Sequence, residues 1–256
     1  MSALNLARSL HPRLGTARDL LAQPVDESEV FPATLEPLHR LLPEGLARGE
    51  IVEVVGHGSS GRFSLLLSLL EAVTRQGEAG ALVDLGDHLD PQLAEQSGVC
   101  LDRLLWVRPP HLKPALAATE ALLGGGFPFV ALDLGTPPVP GGRGAQSSWL
   151  RLLAAVRSQR AVLLVSSPYR VSGTAATTVL EARQGRGAWR GSRPPQRLLR
   201  RLCSQMTLGK VRGRMPGASA SLDLRLHTGG ARLEPAAETD TATAAVTELP
   251  HLRAVP

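Results

Sequence analysis

The segment that most constrains the fold is IVEVV at 51–55, which runs directly into GHGSSGRF and then into SLLLSLLEAVTRQ. A β-branched run that stops at a glycine reads as a buried strand. The apolar positions after Arg62 repeat at helical spacing, so the Gly-rich stretch between them turns a strand into a helix. Gly56 and Gly61 stand at G-x-x-x-x-G spacing, the arrangement in which backbone N–H groups wrap a phosphate at a helix N-terminus. In the full motif a Lys follows and reaches the phosphate oxygens, and the next residue, Ser or Thr, ligates Mg²⁺. Here Arg62 holds the Lys position and Phe63 the hydroxyl position, with Ser59 and Ser60 completing the loop. Ser64 offers a hydroxyl one residue late, which on a helix is a rotation of ~100° away from the ligand direction. Arg62 keeps the charge, but a planar guanidinium does not occupy the compact position of an ammonium. The expectation is a cradle that holds ATP, ADP or phosphate weakly and does not support efficient Mg²⁺-dependent hydrolysis. A plain Gly-rich turn with no ligand is the other reading.

The flanking sequence supplies the architecture. AGALVDL, LLWV, FVALDL and AVLLVSS are short apolar runs, and they alternate with the helical patterns DPQLAEQ, KPALAATEALL and SSWLRLLAAVRSQ. Such alternation predicts an α/β fold with a mostly parallel twisted sheet flanked by helices. Residues 1–41 carry scattered leucines and a Pro/acidic stretch, and read as an N-terminal helical arm and linker outside the core. The core is expected over 42–232, with ASASLDLRLH as an edge or hairpin strand. Residues 233–256 are Ala/Thr/Glu/Pro-biased and read as a disordered tail. The tail ends with Val246, Leu249, Leu252 and Val255, an apolar stripe suited to ordering on a partner.

Charge is concentrated rather than spread. Arg183, Arg186, Arg190, Arg193, Arg197, Arg200, Arg201, Lys210, Arg212 and Arg214 fall within 182–222, which holds no Asp or Glu. The whole chain has 28 basic and 23 acidic residues, so the remainder is net acidic. Two readings stand: a polyanion-facing surface, with Arg193, Arg197, Arg200, Arg201, Lys210, Arg212 and Arg214 contacting single- or double-stranded DNA, and a solvated basic loop.

Several function classes are excluded. Two cysteines are too few for a disulfide framework or a Cys-rich zinc site, and Cys100 is expected in the core. The histidines show no metal-ligand spacing, and no G-x-S-x-G elbow precedes a helix. No apolar run is long enough to span a membrane and no secretory leader opens the chain, so a cytoplasmic setting is expected.

Together LPEGLARGEIVEVVG, the SSGR of the loop, DHLDP at 87–91 and GVCLDRLLWVRP at 98–109 resemble the ATP-binding core of RecA-type recombinases. The resemblance is close over 42–109 and fainter through FVALDL and AVLLVSS. It implies the RecA-like P-loop fold and places that family's roles on this chain. The Walker B acid falls on Asp133, and the alternative for this residue is a turn cap. The catalytic Glu falls on Gly86, and the polar sensor on Ser166 and Ser167. The DNA-binding loop corresponds to the short YRVSGTAATTV, and the basic pair reaching a neighbouring subunit to residues of GKVRGR. No catalytic residue set is retained.

Within the RecA/SulA-related superfamily the chain resembles the ImuA group of bacterial damage-induced mutagenesis cassettes. That resemblance implies an accessory role in translesion synthesis. The implied partners are an ImuB-like pseudo-polymerase, an error-prone DnaE-type polymerase and RecA, with self-association through the N-terminal arm. A divergent DNA-dependent ATPase and a SulA-like inhibitor of cell division are the alternatives.

Overall fold

The computed structural model describes residues 30–31, 36–135, 143–183, 185–190, 198–211, 215–227 and 230–235. Among them, no helix is long and apolar enough to cross a membrane.

The strand read from IVEVV is β3 (Glu50–Val55), and it lies at the centre of a ten-stranded sheet. Before it come β1 (Val30–Phe31), α1 (Glu36–Leu41) and β2 (Leu46–Ala47), with β1 and β2 pairing antiparallel. After it follow α2 (Arg62–Arg75), β4 (Gly80–Asp84) and α3 (Pro91–Gln96). Next are β5 (Leu104–Val107), α4 (Leu112–Gly124), β6 (Phe129–Asp133), α5 (Arg143–Ser158) and β7 (Val162–Ser167). The chain then continues as β8 (Thr178–Ala182), β9 (Arg186–Arg190), β10 (Leu198–Lys210), β11 (Ser219–His227) and β12 (Gly230–Pro235).

The sheet order is β12-β11-β10-β8-β3-β7-β6-β4-β5, with β9 also paired to β10. The pairs from β8 through β3, β7, β6 and β4 to β5 are all parallel, and those that involve β10, β11, β12 and β9 are antiparallel. Strands β4, β6 and β7 are buried at every position, which is why they read as unbroken apolar runs: both faces of a parallel sheet are covered. One face packs on α2 through Leu65, Leu66, Leu69 and Leu70. The other packs on α4 and α5 through Leu116, Leu123, Trp149, Leu152 and Val156, the last three at helical spacing. The Asp-Pro start of α3 forms as the sequence indicates: Asp90 accepts from the N–H groups of Gln92 and Leu93 at 2.9 and 3.2 Å, with Pro91 opening the helix.

Four expectations change. The end of the segment read as arm and linker is part of the core, since Phe31, Leu38 and Leu41 are buried and Phe31 meets Phe129 edge-on at 5.6 Å. The Arg-rich stretch is not simply a loop, because β9 and β10 form within it. From Ser204 onward in β10, Ser204, Met206 and Leu208 are buried while Gln205 is exposed, the period-two pattern of a strand. The segment read as tail begins inside β12, which ends at Pro235; residues 1–29 and 236–256, including the proposed self-association arm and docking stripe, lie outside the described residues. Cys100 is exposed rather than in the core. Cys203 sits beside Asp223, and burial together with that carboxylate pushes its thiol pKa up, away from a reactive thiolate.

Candidate functional site: a P-loop whose arginine is turned inward

The carboxyl ends of β3, β6 and β7 converge where an α/β sheet of this topology places ligands. There GHGSSG turns from β3 into α2. Gly56 donates to the Ser167 carbonyl at 3.0 Å, Ser60 donates to the His57 carbonyl at 3.2 Å, and Gly61 caps the helix in the left-handed region at φ 85°. A side chain at 56 has no room, because a Cβ would lie 2.4 Å from the Ser60 Oγ and 2.7 Å from the Ala182 carbonyl. Residues 57–64 line an open cavity of about 370 Å³ together with His88 and Leu202. The first N–H groups of α2 have no acceptor within the helix. The Ser60 hydroxyl is fully buried with no hydrogen-bond partner. An anion such as phosphate fits that donor set.

Arg62 does not point into this cradle. Its side chain is buried and its guanidinium runs beneath the loop, where it donates to Asp133 Oδ1 at 2.8 Å, to the Ser166 hydroxyl and to the Gly135 carbonyl. Ser166 Oγ donates to the same Asp133 oxygen at 2.7 Å, and His88 Nδ1 lies 2.8 Å from Oδ2. Asp133 is fully buried, so this network supplies the charge and donors that such a carboxylate needs. Asp133 is therefore more than a turn cap: it anchors the arginine.

Mg²⁺ does not fit this arrangement. Both oxygens of Asp133 are engaged, and Phe63, at the hydroxyl position, packs edge-on against His88 with centroids 5.4 Å apart. Asp84, His88 and Asp133 bring potential ligand atoms within 4.8 Å of one another. Yet Asp84 accepts from the N–H groups of His88 and Leu89 and from Trp106 Nε1, so its oxygens are committed too. Gly86, at the catalytic-Glu position, faces a filled space: a Cβ there would lie 2.6 Å from Gly135 Cα and 2.8 Å from Asp133 Oδ2.

The segment YRVSGTAATTV is folded onto the body. Glu53, fully buried in β3, accepts from the N–H groups of Val171 and Ser172 at 2.6 and 3.3 Å and from the Ser172 hydroxyl. Lys210 Nζ donates to the Ala176 carbonyl, so this candidate DNA contact is spent inside the protein. Replacing Glu53 by Ala orphans two N–H groups and is expected to cost about 2–4 kcal/mol. Thermal denaturation checks this, with Glu53→Gln, which keeps an acceptor, losing less than half as much.

Of the other candidate DNA-binding residues, Arg200 is exposed and Arg201 pairs with Asp223 at 3.3 Å; Arg193, Arg197, Arg212 and Arg214 lie outside the described residues. Sequence reasoning missed Glu53, His88 and Ser204. The Ser204 hydroxyl lies 2.6 Å from both the Ser60 and the Arg183 carbonyls and donates its one proton between them, and the Gly185 N–H donates to the Ser59 carbonyl, so β10 and the start of the β9 ribbon are stitched to the P-loop. No local signal marks these residues, because their partners lie far away in the chain.

The profile of the MT3502 N-terminal domain family matches residues 40–173. Over 90 residues the chain is 40% identical to Protein RecA of Limosilactobacillus reuteri (strain DSM 20016), covering 35% of this chain and 24% of the relative. Protein RecA of Bifidobacterium breve is 33% identical over 128 residues, 49% of this chain and 33% of that one. The chain thus spans about a quarter to a third of the RecA proteins it matches. The crystal structure of the RadB recombinase superposes with a TM-score of 0.58 at 18% identity, covering 79% of this chain and 99% of that one, which shows the RecA-like fold.

Proposed function

We propose that this chain, which belongs to the MT3502 N-terminal domain family, is a RecA-like accessory protein of DNA repair that works through protein and DNA contacts without an ATP cycle. The observation that carries this reading is the Arg62 guanidinium locked between Asp133, Ser166 and Gly135. The cation that would otherwise meet phosphate is neutralised internally, and the acid that would otherwise support a metal is its counter-ion. Homology to RecA and the RecA-like fold support the DNA-repair setting, and a RecA-like core with Arg62, Phe63 and Gly86 at the Lys, hydroxyl and catalytic-Glu positions, as in the resemblance to the ImuA group, favours its translesion-synthesis branch.

Such a protein keeps a recombinase-like surface while its nucleotide site stays in one state, so partners dock without being cycled off. The retained cradle holds phosphate or ADP through backbone N–H groups and Ser60. Magnesium is expected to change ADP affinity by less than twofold in isothermal titration; a tenfold gain with Mg²⁺ contradicts the reading.

Partner capture tests the biological part. The immobilised chain is expected to retain an ImuB-like pseudo-polymerase, a DnaE-type polymerase or RecA equally with and without Mg²⁺–ATP. Capture of none of the three, or only with Mg²⁺–ATP, overturns it.

A further inference from the structure

Over Leu198–Cys203, the first half of β10 pairs with β9. All five residues of β9 are exposed, and among the described residues no strand pairs with its other edge. Period-two alternation puts Arg186, Ala188 and Arg190 on one face, and Gly187 and Trp189 on the other. The pairing sets Leu198 opposite Arg190 and Leu199 opposite Trp189, with an irregularity at Arg200. Trp189 is 53% exposed and Leu198 70% exposed. The indole lies along the ribbon, since a Cβ at Gly187 would come within 3.0 Å of Trp189 Nε1 and 2.9 Å of Leu199 Cδ1. Leu202, on the same face, lines the P-loop cavity. One face of the ribbon is therefore an open aromatic platform and the other carries arginines.

From this the geometry points to the β9–β10 ribbon as a binding element for single-stranded DNA, with Arg186, Arg190 and Arg200 on phosphates and Trp189 stacked on a base. The proposal rests on the preceding reading of a DNA-associated chain and names the surface that reading lacks. Charge complementarity selects the partner: the ribbon belongs to a 41-residue stretch with ten basic and no acidic residues, in a chain whose remainder is net acidic. Asp223 is the carboxylate facing the ribbon from β11, and it is paired with Arg201, which leaves Arg186, Arg190 and Arg200 as the ribbon's exposed cations. The indole and the arginines lie on opposite faces of β9, whose outer edge no strand among the described residues pairs, so a single strand crossing that edge meets both; its base faces are open, whereas those of a duplex are stacked away. Lys210 and the backbone N–H of Val171 are held by internal bonds, which takes them out of the exposed basic surface.

Fluorescence anisotropy of a labelled oligo-dT strand with the full chain tests this, across ~50 to ~200 mM salt. Changing Arg186, Arg190 and Arg200 together to Gln is expected to weaken binding at least tenfold. It should also reduce the slope of log affinity against log salt by about 2, at ~0.7 per cation on a single strand. Trp189→Ala is expected to weaken binding about tenfold with the slope unchanged, and to leave duplex binding unaltered. All four residues are exposed, so thermal stability should match the unmodified chain. Tight DNA binding that neither variant reduces overturns the ribbon assignment and leaves the DNA-associated reading standing. Absence of oligonucleotide binding overturns both. Competition by polyglutamate as effective as by oligo-dT overturns the nucleic-acid choice in favour of an acidic protein partner.

Discussion

Arg62→Met is expected to destabilise the protein by about 3–5 kcal/mol, lowering Tm by roughly 10 °C. The methionine fills much the same tunnel, so packing loss is small and the effect isolates charge. Without the guanidinium, Asp133 is a fully buried carboxylate left with the Ser166 hydroxyl and His88. An uncompensated buried charge is costly, whereas removing both partners of such a pair is far milder. Adding Asp133→Asn to Arg62→Met is therefore expected to recover a good part of the loss. Differential scanning calorimetry of the two single variants and the double variant closes the cycle, with a coupling energy of about 0.5–3 kcal/mol. Strict additivity, or a Tm within ~2 °C of the unmodified chain for Arg62→Met, would show that the pair does not hold the site.

Restoring the family's glutamate is expected to damage the protein instead of reviving it. At Gly86 even a methyl group would meet Gly135 Cα at 2.6 Å and His88 Cε1 at 2.7 Å, and backbone yields little to overpacking. A carboxylate there also faces Asp133, so like-charge repulsion adds to the steric cost. Gly86→Ala is expected to lose about 1–3 kcal/mol and Gly86→Glu more than that, with no gain in ATP turnover from Gly86→Glu. Chemical denaturation measures the loss, and a stable, hydrolysing Gly86→Glu protein would contradict this description of the site.

The parts of the fold set by local pattern were legible. FVALDL and AVLLVSS form strands buried at every position and so read as mainly apolar runs, as does IVEVV but for one acid, and Asp90-Pro91 announces a helix through the chemistry of its cap. Within the site, the replacement of Lys by Arg62 and of the hydroxyl by Phe63 was visible, and so was the lost glutamate at Gly86. What Arg62 does was not visible, because its partners are 71 to 104 residues away and meet it only when β6 and β7 are set side by side. Glu53 was hidden for a related reason: one acid in an apolar strand gives no sign that the backbone of Val171 and Ser172 will close over it. The β9–β10 ribbon was obscured by composition. Arginine and glycine suggest a loop, while pairing with β8 and β11 makes the stretch a strand. Phe31 and Leu38 were misassigned because the prolines around them mask two very short elements whose burial depends on Arg48 and Phe129 packing over Phe31.

With Arg62 turned away from the cradle into its pair with Asp133, the P-loop is expected to turn over no ATP. Phosphate release from Mg²⁺–ATP by the purified chain, with and without single-stranded DNA, tests it most directly. The expected rate is at least ~100-fold below the ~1 s⁻¹ at the low end of ordinary enzyme turnover, with or without DNA. Turnover of ~1 s⁻¹ or more by the unmodified protein would contradict it.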